Sequence, residues 1–456
     1  MPADTKSPDA MHFTSLHLEN VRAFGSCQSL KLVDEQGARS RWNLILGENG
    51  VGKTTLMQAL AVMRPIAAKD ERSKKKSAVP TLSRVQLSDR DEDAEIIHFI
   101  RRGGTGMTKM TAVLETERGK SLTIGVDIRG STSELKEVKY RDARHKLRSK
   151  GPLVVGYGAG RHVGHLNLPA VAVRDATGSL FLDAIDLYDA EDLIEKLDYA
   201  AKIDRKNGPD KRRLEMLKEA VASLLPRGLT AKDIKIRGPR YEGRDPDRSG
   251  VHVKTPSGVT PLTDLSLGYQ TMFAWTVDLA WRLFNAFPGS TQPLSESAIV
   301  LIDEVDLHLH PRWQRDLRQY LLKHFPKVQF IATTHSPVTA QEALSEAGSN
   351  VSVVRWENDE VHIFNNPIKR GNWRSDQLLE SDLFGFGLDR GQQAERKLYE
   401  RIKLLRKSSR TAKEEAQLRE LDEFVALLPT ARSPEAETFE ELMMNFAKDF
   451  PRGALR

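Results

Sequence analysis

The chain has 456 residues, of which 39% are hydrophobic and 29% charged, a composition typical of a soluble globular protein. It has no run of about 18 apolar residues and no apolar signal segment at its N-terminus, so we expect neither a membrane span nor secretion. Cys27 is the only cysteine, which excludes intramolecular disulfides and cysteine-based zinc sites and favours a cytoplasmic location. The net charge of +6 permits contact with nucleic acid without requiring it.

The N-terminal part of the chain predicts an arm followed by strands. Residues 1–11 are expected to form a disordered arm. Phe13–Asn20 alternates apolar and polar residues, as a strand does. Trp42–Leu46 is an apolar run of strand length, and Leu56–Met63 has helical composition. A glycine-rich loop joins these last two segments.

That loop, Gly47–Thr55 (GENGVGKTT), matches the pattern G-x-x-x-x-G-K-[ST] in full, in the strand–loop–helix context that the pattern requires. Its glycines let backbone N–H groups turn toward a phosphate, and the helix N-terminus adds its positive end. We expect Lys53 to reach the β- and γ-phosphates and Thr54 to hold Mg²⁺. The other loop residues predicted to bind the nucleotide are Gly47, Asn49, Gly50, Gly52 and Thr55. The sequence therefore predicts a nucleoside triphosphate site.

The next hundred residues predict β-structure. Residues 67–83 are polar and Lys-rich, and are expected to form a loop. Three alternating segments separated by turn signals predict an antiparallel meander: Glu95–Arg101, Lys109–Glu117 and Ser121–Ile128. Lys136–Lys150 is strongly basic; a solvated face and a patch that contacts nucleic-acid phosphates both remain open. Pro152–Tyr157 reads as a further apolar strand.

The second half of the chain is predicted to alternate helices and strands. Residues 182–228 have a helical pattern broken near Lys206–Pro209, which predicts a helical insertion. Leu267–Ala286 predicts a long buried helix. From 298 to 364 the predicted order is strand, helix, strand, helix and two strands, which indicates a mainly parallel sheet covered on both faces. Three charged helices are predicted after Gly371, over 394–407, 413–428 and 435–448.

Acidic residues directly follow the apolar strand Ala298–Ile302. A buried parallel strand delivers its last side chains to the edge of the sheet where ligands bind. Asp303 would hold Mg²⁺, and Glu304 would orient and deprotonate the attacking water. His335, after the next strand, can donate a hydrogen bond to a γ-phosphate. Taken alone, the acids could instead cap a helix, and the histidine could be inert.

Leu265–Gln270 (LSLGYQ) opens the long helix, with Ser266 as a suitable N-cap. With the loop, the acids and the histidine, it completes a set that resembles the ATP-binding-cassette (ABC) ATPases in order and spacing, over about residues 13–365. The resemblance implies a homodimer in which two heads enclose two ATP molecules. It also implies that Ser266, Gly268 and Gln270 complete the partner's site, and that Asp306 lies in the loop that couples the two sites.

Two segments resemble particular subgroups of the ABC ATPases. Phe13–Gly25 (FTSLHLENVRAFG) is similar to the start of RecF/SMC-like heads, which implies that Arg22 helps to hold the nucleotide. Residues 303–311 (DEVDLHLHP) resemble a block of the overcoming-lysogeny-defect and Septu-type ATPases. Within that block, His308 and His310 could form a metal-binding pair or serve only in packing, and the sequence leaves both alternatives open. Residues 156–161 occupy the place of the family's glutamine-bearing loop without a glutamine, and Arg161 is a candidate there.

The tail segment Ser375–Phe386 resembles that of Septu-type antiphage defence ATPases, which work beside an HNH nuclease. The sequence between Lys53 and Ser266 is too short for the long coiled coils of SMC proteins. The expectation is thus an α/β, ABC-type P-loop ATPase head over residues 12–370. Residues 371–456 would be a helical region that docks a separate nuclease. The alternative is a RecF/SMC-like DNA-repair ATPase that binds duplex DNA directly; a transporter ATPase is disfavoured.

Overall fold

A computed structural model of the chain describes residues 8–69, 76–80, 96–104, 106–141, 151–160, 162–166, 176–182, 186–203, 208–224, 230–237, 250–255, 258–307, 309–357, 360–368, 371, 378, 400, 404 and 411–426. The chain divides into two compact units, residues 1–385 and 386–456. Within the described ranges, no helix is long and apolar enough to cross a membrane.

The first unit contains strands and helices, and the second contributes one described helix. The strands are β1 (Met11–Glu19), β2 (Gln28–Lys31), β3 (Trp42–Gly47), β4 (Pro65–Lys69), β5 (Lys76–Pro80), β6 (Thr108–Thr116), β7 (Ser121–Gly130), β8 (Leu135–Arg141), β9 (Val154–Tyr157), β10 (His162–Leu166), β11 (Asp186–Tyr188), β12 (Ile234–Arg237), β13 (Gly250–Thr255), β14 (Gly258–Pro261), β15 (Ala298–Ile302), β16 (Val328–Thr334), β17 (Ser349–Glu357) and β18 (Glu360–Asn365). The helices are α1 (Lys53–Val62), α2 (Ala190–Ile203), α3 (Pro209–Ala222), α4 (Leu267–Ala286), α5 (Pro311–His324), α6 (Pro337–Ser345) and α7 (Ala412–Ala426), the last in the second unit.

A six-stranded sheet in the order β18-β17-β3-β16-β15-β9 forms the centre of the first unit. All of its neighbouring strands pair in parallel except β17 and β18. Strands β15 and β16 are buried along their whole length, as expected for strands covered on both faces. The predicted mainly parallel sheet is confirmed. Its register places the carboxyl ends of β3, β9, β15 and β16 side by side.

The central sheet separates two hydrophobic cores. Leu44 and Leu46 of β3 belong to one core, which also contains the apolar faces of α2, α3 and α4. Ile45, between them, belongs to the other, which includes α1 and the inner face of a five-stranded antiparallel sheet, β2-β1-β6-β7-β8. This alternation follows from the period of two along a strand. The same sequence run therefore anchors both layers and ends in the glycine-rich loop.

The antiparallel sheet differs from the predicted meander in two of its strands. The predicted strand over 95–101 is wrong, because Ile96 begins a short helical turn and Ile100 forms only an isolated bridge with Val21. The third strand of the meander is instead β8, which lies in the predicted basic stretch. The predicted loop over 67–83 is also wrong where it is described, since residues 67–69 and 76–80 belong to β4 and β5, which pair antiparallel.

Both helices of the predicted insertion occur within 182–228, and α2 and α3 pack on each other and on α4. In the second unit, α7 falls in the predicted helix over 413–428. The predicted helix over 435–448 lies outside the described residues, as does most of the one over 394–407 and of the predicted arm. The domain boundaries therefore stay predictions.

Candidate active site

The glycine-rich loop curls around the side chain of Lys53. Its Nζ donates hydrogen bonds to the carbonyl oxygens of Gly47 and Glu48, at 2.9 and 2.7 Å. Gly52 caps α1 with φ of 95°, a conformation that favours glycine. A Cβ at Gly47 would lie 2.4 Å from the carbonyl oxygen of Val354 on the adjoining β17, so a side chain there would require the backbone to shift. The loop thus has the shape that its sequence predicts.

The two residues predicted to hold the metal meet in the structure. Thr54 Oγ1 donates to Asp303 Oδ2 at 2.6 Å, although the two are 249 residues apart in sequence. On its other side, Asp303 Oδ1 accepts a hydrogen bond from Thr333 Oγ1 at 2.5 Å. The carboxylate is buried between these two hydroxyls. The start of α1 and the ends of β15 and β16 therefore converge on one carboxylate.

This pair fits Mg²⁺ by its chemistry. A hydroxyl and a carboxylate are the oxygen ligands that Mg²⁺ prefers, and Mg²⁺ typically takes only one or two protein ligands besides phosphate and water. Thr54 and Asp303 are therefore residues that could hold such an ion. In the part of the chain that is described, no group of three or more His, Cys, Asp or Glu residues could hold a metal. His310 caps α5 by accepting from the backbone N–H of Arg312, whereas His308 lies outside the described residues.

Strand β16 also fixes the acids that follow Asp303. The Thr333 hydroxyl, which donates to Asp303, accepts from the backbone N–H of Glu304 at 2.8 Å. Glu304 has φ of 49°, a left-handed conformation that is uncommon for a residue other than glycine and is often found at functional sites. Thr334 Oγ1 donates to the carboxylate of Asp306. Two neighbouring threonines thereby hold all three acidic residues.

His335 follows these threonines and carries an unpaired polar atom. Its Nε2 is buried and has no hydrogen-bond partner within the described residues. Burial lowers the pKa of His335, and the nearby Lys53 lowers it further, against the opposing effect of Glu304, Asp306 and Asp303. A buried, unpaired nitrogen is uncommon in a folded protein. Nε2 is thus a hydrogen-bonding position that the described part of the chain does not use.

Arg22 lies behind the loop. It has φ of 47°, and its Nε donates to the carbonyl oxygen of His98 at 2.9 Å. Arg22 Nη2 lies 2.9 Å from Nδ1 of the His98 ring, and Arg22 Nη1 lies 3.4 Å from Thr55 Oγ1. Burial, with a smaller contribution from Arg22, lowers the pKa of His98 to about 4, so that the ring is neutral and can accept. Arg22 therefore links the turn after β1 to Thr55, and its contact with a nucleotide stays a prediction.

A cavity of about 600 Å³ adjoins Arg22. Its lining includes three arginines, two isoleucines and one tryptophan: Arg22, Arg101, Arg102, Ile97, Ile100 and Trp356. Trp356 is 53% exposed, and it lies two residues beyond Val354, which packs on Gly47. Sequence reasoning missed this cavity, although the paired arginines at 101 and 102 were a visible signal. Its lining thus combines three cationic side chains with one aromatic side chain.

The LSLGYQ segment begins α4 and is open to solvent. Ser266 occupies the N-cap position, but its side chain makes no capping hydrogen bond. Ser266 is exposed and Leu267 is 54% exposed, while Gly268 is half-buried. Gln270 Nε2 donates to the carbonyl oxygens of Thr263 and Leu265, at 2.8 and 2.7 Å, and so holds the preceding turn.

The predicted residues therefore fall into two groups. The first consists of the loop, Asp303, Glu304, Asp306 and His335, and lies at the carboxyl edge of the central sheet. Asn49, Gly50 and Thr54 are exposed on the loop, and Thr55 is buried below them. The second group is Ser266, Gly268 and Gln270; no hydrogen bond among the described residues joins it to the first. Arg161 lies outside the described residues.

Sequence comparison matches this chain to two family models and to several named proteins. Two family models match, described as "AAA domain, putative AbiEii toxin, Type IV TA system" over residues 131–340 and "AAA domain" over residues 15–222. The Septu protein PtuA of Bacillus mycoides (strain KBAB4) is 25% identical over 377 residues, which cover 79% of this chain and 43% of that protein. The "Retron Vc95 probable ATPase" of Vibrio cholerae serotype O1 biovar El Tor is 42% identical over 103 residues, 23% of this chain and 20% of that protein.

The matches thus span less than half the length of either relative. Among solved structures, the SMC head domain from Thermotoga maritima aligns with a TM-score of 0.42 at 15% identity, over 78% of this chain and 98% of that one. The sequence matches confirm the predicted resemblance to Septu-type ATPases. The strand–loop–helix geometry and the parallel sheet confirm the α/β P-loop fold.

Proposed function

We propose that this chain, an SMC/RecF-like P-loop ATPase of Septu type, is the cytoplasmic ATP-binding and ATP-hydrolysing subunit of an antiphage defence system. In this proposal it forms a homodimer around MgATP and controls a separate, HNH-type nuclease. The observation that carries the ATPase part is the hydrogen bond of 2.6 Å between Thr54 and Asp303. It brings the phosphate loop and the acidic strand end to one point.

Each residue of this cluster has a chemical task in the proposal. The Lys53 ammonium exchanges the carbonyl oxygens of its own loop for phosphate oxygens. Bound MgATP would supply the γ-phosphate, and its Mg²⁺ would supply positive charge that compensates the negative charge of the phosphate. Glu304 accepts a proton from the attacking water, and His335 donates a hydrogen bond from its neutral ring to the γ-phosphate. The cavity beside Arg22 receives the sugar and base.

The homodimer is supported by the exposed signature segment. Ser266 and Gly268 are accessible at the N-terminus of α4, where backbone N–H groups and the helix dipole favour an anion. Since no hydrogen bond among the described residues joins them to their own phosphate loop, a second copy can present them to the γ-phosphate. This arrangement was predicted from the family resemblance, and it gives both halves of the site a use.

The ATPase part is tested by phosphate release from three purified variants. Glu304→Gln should retain ATP binding but lose phosphate release by roughly 10²-fold or more, because it removes the general base. Lys53→Ala should lose binding of ATP as well. The matched control is Lys120→Ala, which changes an exposed lysine in the turn between β6 and β7 and should behave as the wild type. Wild-type release from Glu304→Gln would overturn the proposed hydrolysis.

The defence role is supported by the similarity to the Septu and retron proteins and by the Septu-like tail segment. The test is to purify the chain from its own cells, with Glu304→Gln alongside to hold the ATP-bound state. We expect a nuclease-sized partner whose cutting of DNA or RNA changes with the ATP state. Recovery with DNA and without a protein partner would contradict this role and favour the repair ATPase.

The docking region is tested by a deletion placed according to the structure. Leu378 is buried in the core that contains β3, so a deletion that starts at 372 would remove part of the head. A deletion of 386–456 retains that residue and should lose the nuclease while keeping phosphate release. A charge reversal on the exposed Arg419 of α7 is a milder second variant. Unchanged nuclease association in the deletion would refute the assignment.

Direct DNA binding is the weaker proposal. Of the basic stretch at 136–150, β8 carries Lys139, which pairs with Glu137 at 3.0 Å, and Arg141, which pairs with Asp127 at 3.0 Å. These acids reduce the positive charge available to phosphates. Residues 142–150 lie outside the described part of the chain.

A further inference from the structure

Strand β9 ends at Tyr157, whose backbone contacts Asp303, the residue that follows β15. The carbonyl oxygen of Tyr157 accepts a hydrogen bond from the backbone N–H of Asp303 at 2.8 Å. Tyr157 is also paired with Ile302 in the parallel register of β9 and β15. The position of the Asp303 backbone is thus set jointly by β9 and β16.

The side chain of Tyr157 reaches in the other direction, to helix α4. Its hydroxyl donates to Asp278 Oδ2 at 2.7 Å, and its ring packs against Trp275 with centroids 5.9 Å apart. Both partners belong to α4, which begins directly after Ser266. Twelve residues separate Ser266 from Asp278, or about 18 Å along a helix. One tyrosine therefore contacts the acidic strand end and the body of the signature helix.

The contact with α4 involves a buried charge. Asp278 has 0% exposure, and Arg282 on the next turn donates to both of its carboxylate oxygens, at 2.7 and 3.3 Å. The backbone N–H of Tyr188 on β11 lies 3.5 Å from Asp278 Oδ1. Removing a partner from a buried ion pair is costly, because it leaves a charge without compensation. Helix α4 therefore cannot shift relative to β9 unless Tyr157 moves with it or this network breaks.

We infer that Tyr157, with Asp278 and Arg282, is a positioning relay between the signature helix and the catalytic acids. When a second copy engages Ser266, the displacement of α4 is transmitted through Asp278 and Tyr157 to the backbone of Asp303. Conversely, the arrangement of the acids biases the position of α4. This inference rests on the proposed ATPase function and deepens it by naming the residues that couple the two halves of the site.

The test compares Tyr157→Phe, which removes only the hydroxyl, with Tyr320→Phe as a matched control. Tyr320 is also buried, and its hydroxyl contacts Ala220 and Thr276, the latter on α4, without touching β9 or β15. For Tyr157→Phe we expect kcat and ATP-dependent dimerisation to fall about tenfold, the effect of one hydrogen bond used in the assembled state. The affinity of the isolated head for ATP should change less than about twofold, since Lys53 and Thr54 are untouched.

Tyr320→Phe should lose a similar amount of stability toward urea while its kcat stays at the wild-type value. A purely structural role of Tyr157 would make the two variants alike, with lower stability and unchanged kcat, and that result would overturn the inference. Arg282→Lys, which keeps the charge but loses the two-point contact, should shift kcat in the same direction and decides the question if Tyr157→Phe does not fold. Failure of the proposed function looks different, since wild type and Glu304→Gln would then release phosphate equally.

Discussion

The two halves of the candidate site differ in what holds them. In the phosphate half, Lys53 is paired with loop carbonyls and Asp303 with two threonine hydroxyls, whereas the buried Nε2 of His335 has no partner within the described residues. In the signature half, Ser266 makes no capping hydrogen bond and Leu267 is 54% exposed. Folding alone therefore organises the first half, whereas the second is left open at the surface. In the proposed dimer, assembly and not folding would complete the site.

The largest effect that tests this contrast comes from mixing two inactive variants. Ser266→Arg should bind ATP normally but lose dimerisation and phosphate release, because a bulky cation replaces the exposed hydroxyl. Lys53→Ala should fail to bind ATP but keep its signature segment. A mixture of the two can form one intact site between the chains, so we expect phosphate release to return in part. The measurement is phosphate release of each variant alone and of the equimolar mixture.

The mixing experiment has a control in the chain itself. The double variant carries both changes in one chain, so it supplies neither an intact Lys53 nor an intact Ser266. When it is mixed with Lys53→Ala, no intact site can form, and phosphate release should not return. If Ser266→Arg alone hydrolyses ATP at the wild-type rate, the signature half has no role in catalysis. The contrast between the halves would then be one of exposure only.

A smaller effect is expected from matched threonine substitutions in the two halves. Thr333→Val removes a buried hydroxyl that serves both Asp303 and Glu304, and should lower the free energy of unfolding by about 1–3 kcal/mol. It should also lower kcat about tenfold or more, since both acids lose a support. Thr263→Val, at the exposed turn before the signature, should change stability by less than about 0.5 kcal/mol. Urea unfolding and phosphate release measure both, and equal losses would contradict the contrast.

The phosphate half was predictable because its residues follow directly from apolar strands. Each of Gly47, Asp303 and His335 ends or follows a run whose burial is evident in sequence, and parallel strands bring their ends together. The roles of Thr333 and Thr334 were not predictable, although both stand in the segment that contains His335. Their bonds to Asp303 and Asp306 depend on the register of β15 and β16, which a single sequence does not specify.

The errors in the antiparallel sheet have a common physical reason. Ile96, Phe99 and Ile100 have the spacing of a helical turn as well as an approximate alternation, and tertiary packing decided for the turn. Strand β8 is an edge strand whose charged outer residues hide its alternation, and charges on an edge are a common way to prevent further pairing. The cavity near Arg22 was missed because its lining comes from segments far apart in sequence, although the adjacent Arg101 and Arg102 were a visible signal.

The smallest expected effect concerns the pH dependence of the free energy of unfolding, which should differ between substitutions in the phosphate half and in the signature half. His98 is held neutral beside Arg22, with its pKa lowered to about 4 by burial and by that arginine. In the unfolded chain its pKa returns to about 6.5. As the pH falls from 6.5 to 4, the unfolded state gains a proton that the folded state does not bind, so the folded state loses stability over this window. Below pH 4 both states are protonated, and this histidine causes no further loss.

His98→Gln keeps a hydrogen-bond acceptor and removes the titration. Between pH 7.5 and pH 5, the free energy of unfolding should therefore fall less in this variant than in the wild type, by about 1 kcal/mol after allowance for the partial exposure of the ring. Urea unfolding at the two pH values measures the difference. Ser266→Arg should keep the wild-type pH dependence, because no hydrogen bond among the described residues links Ser266 to the Arg22 network. Equal pH dependence in His98→Gln and wild type would mean that the His98 ring is not held neutral. The phosphate half would then not differ from the signature half in its pH dependence.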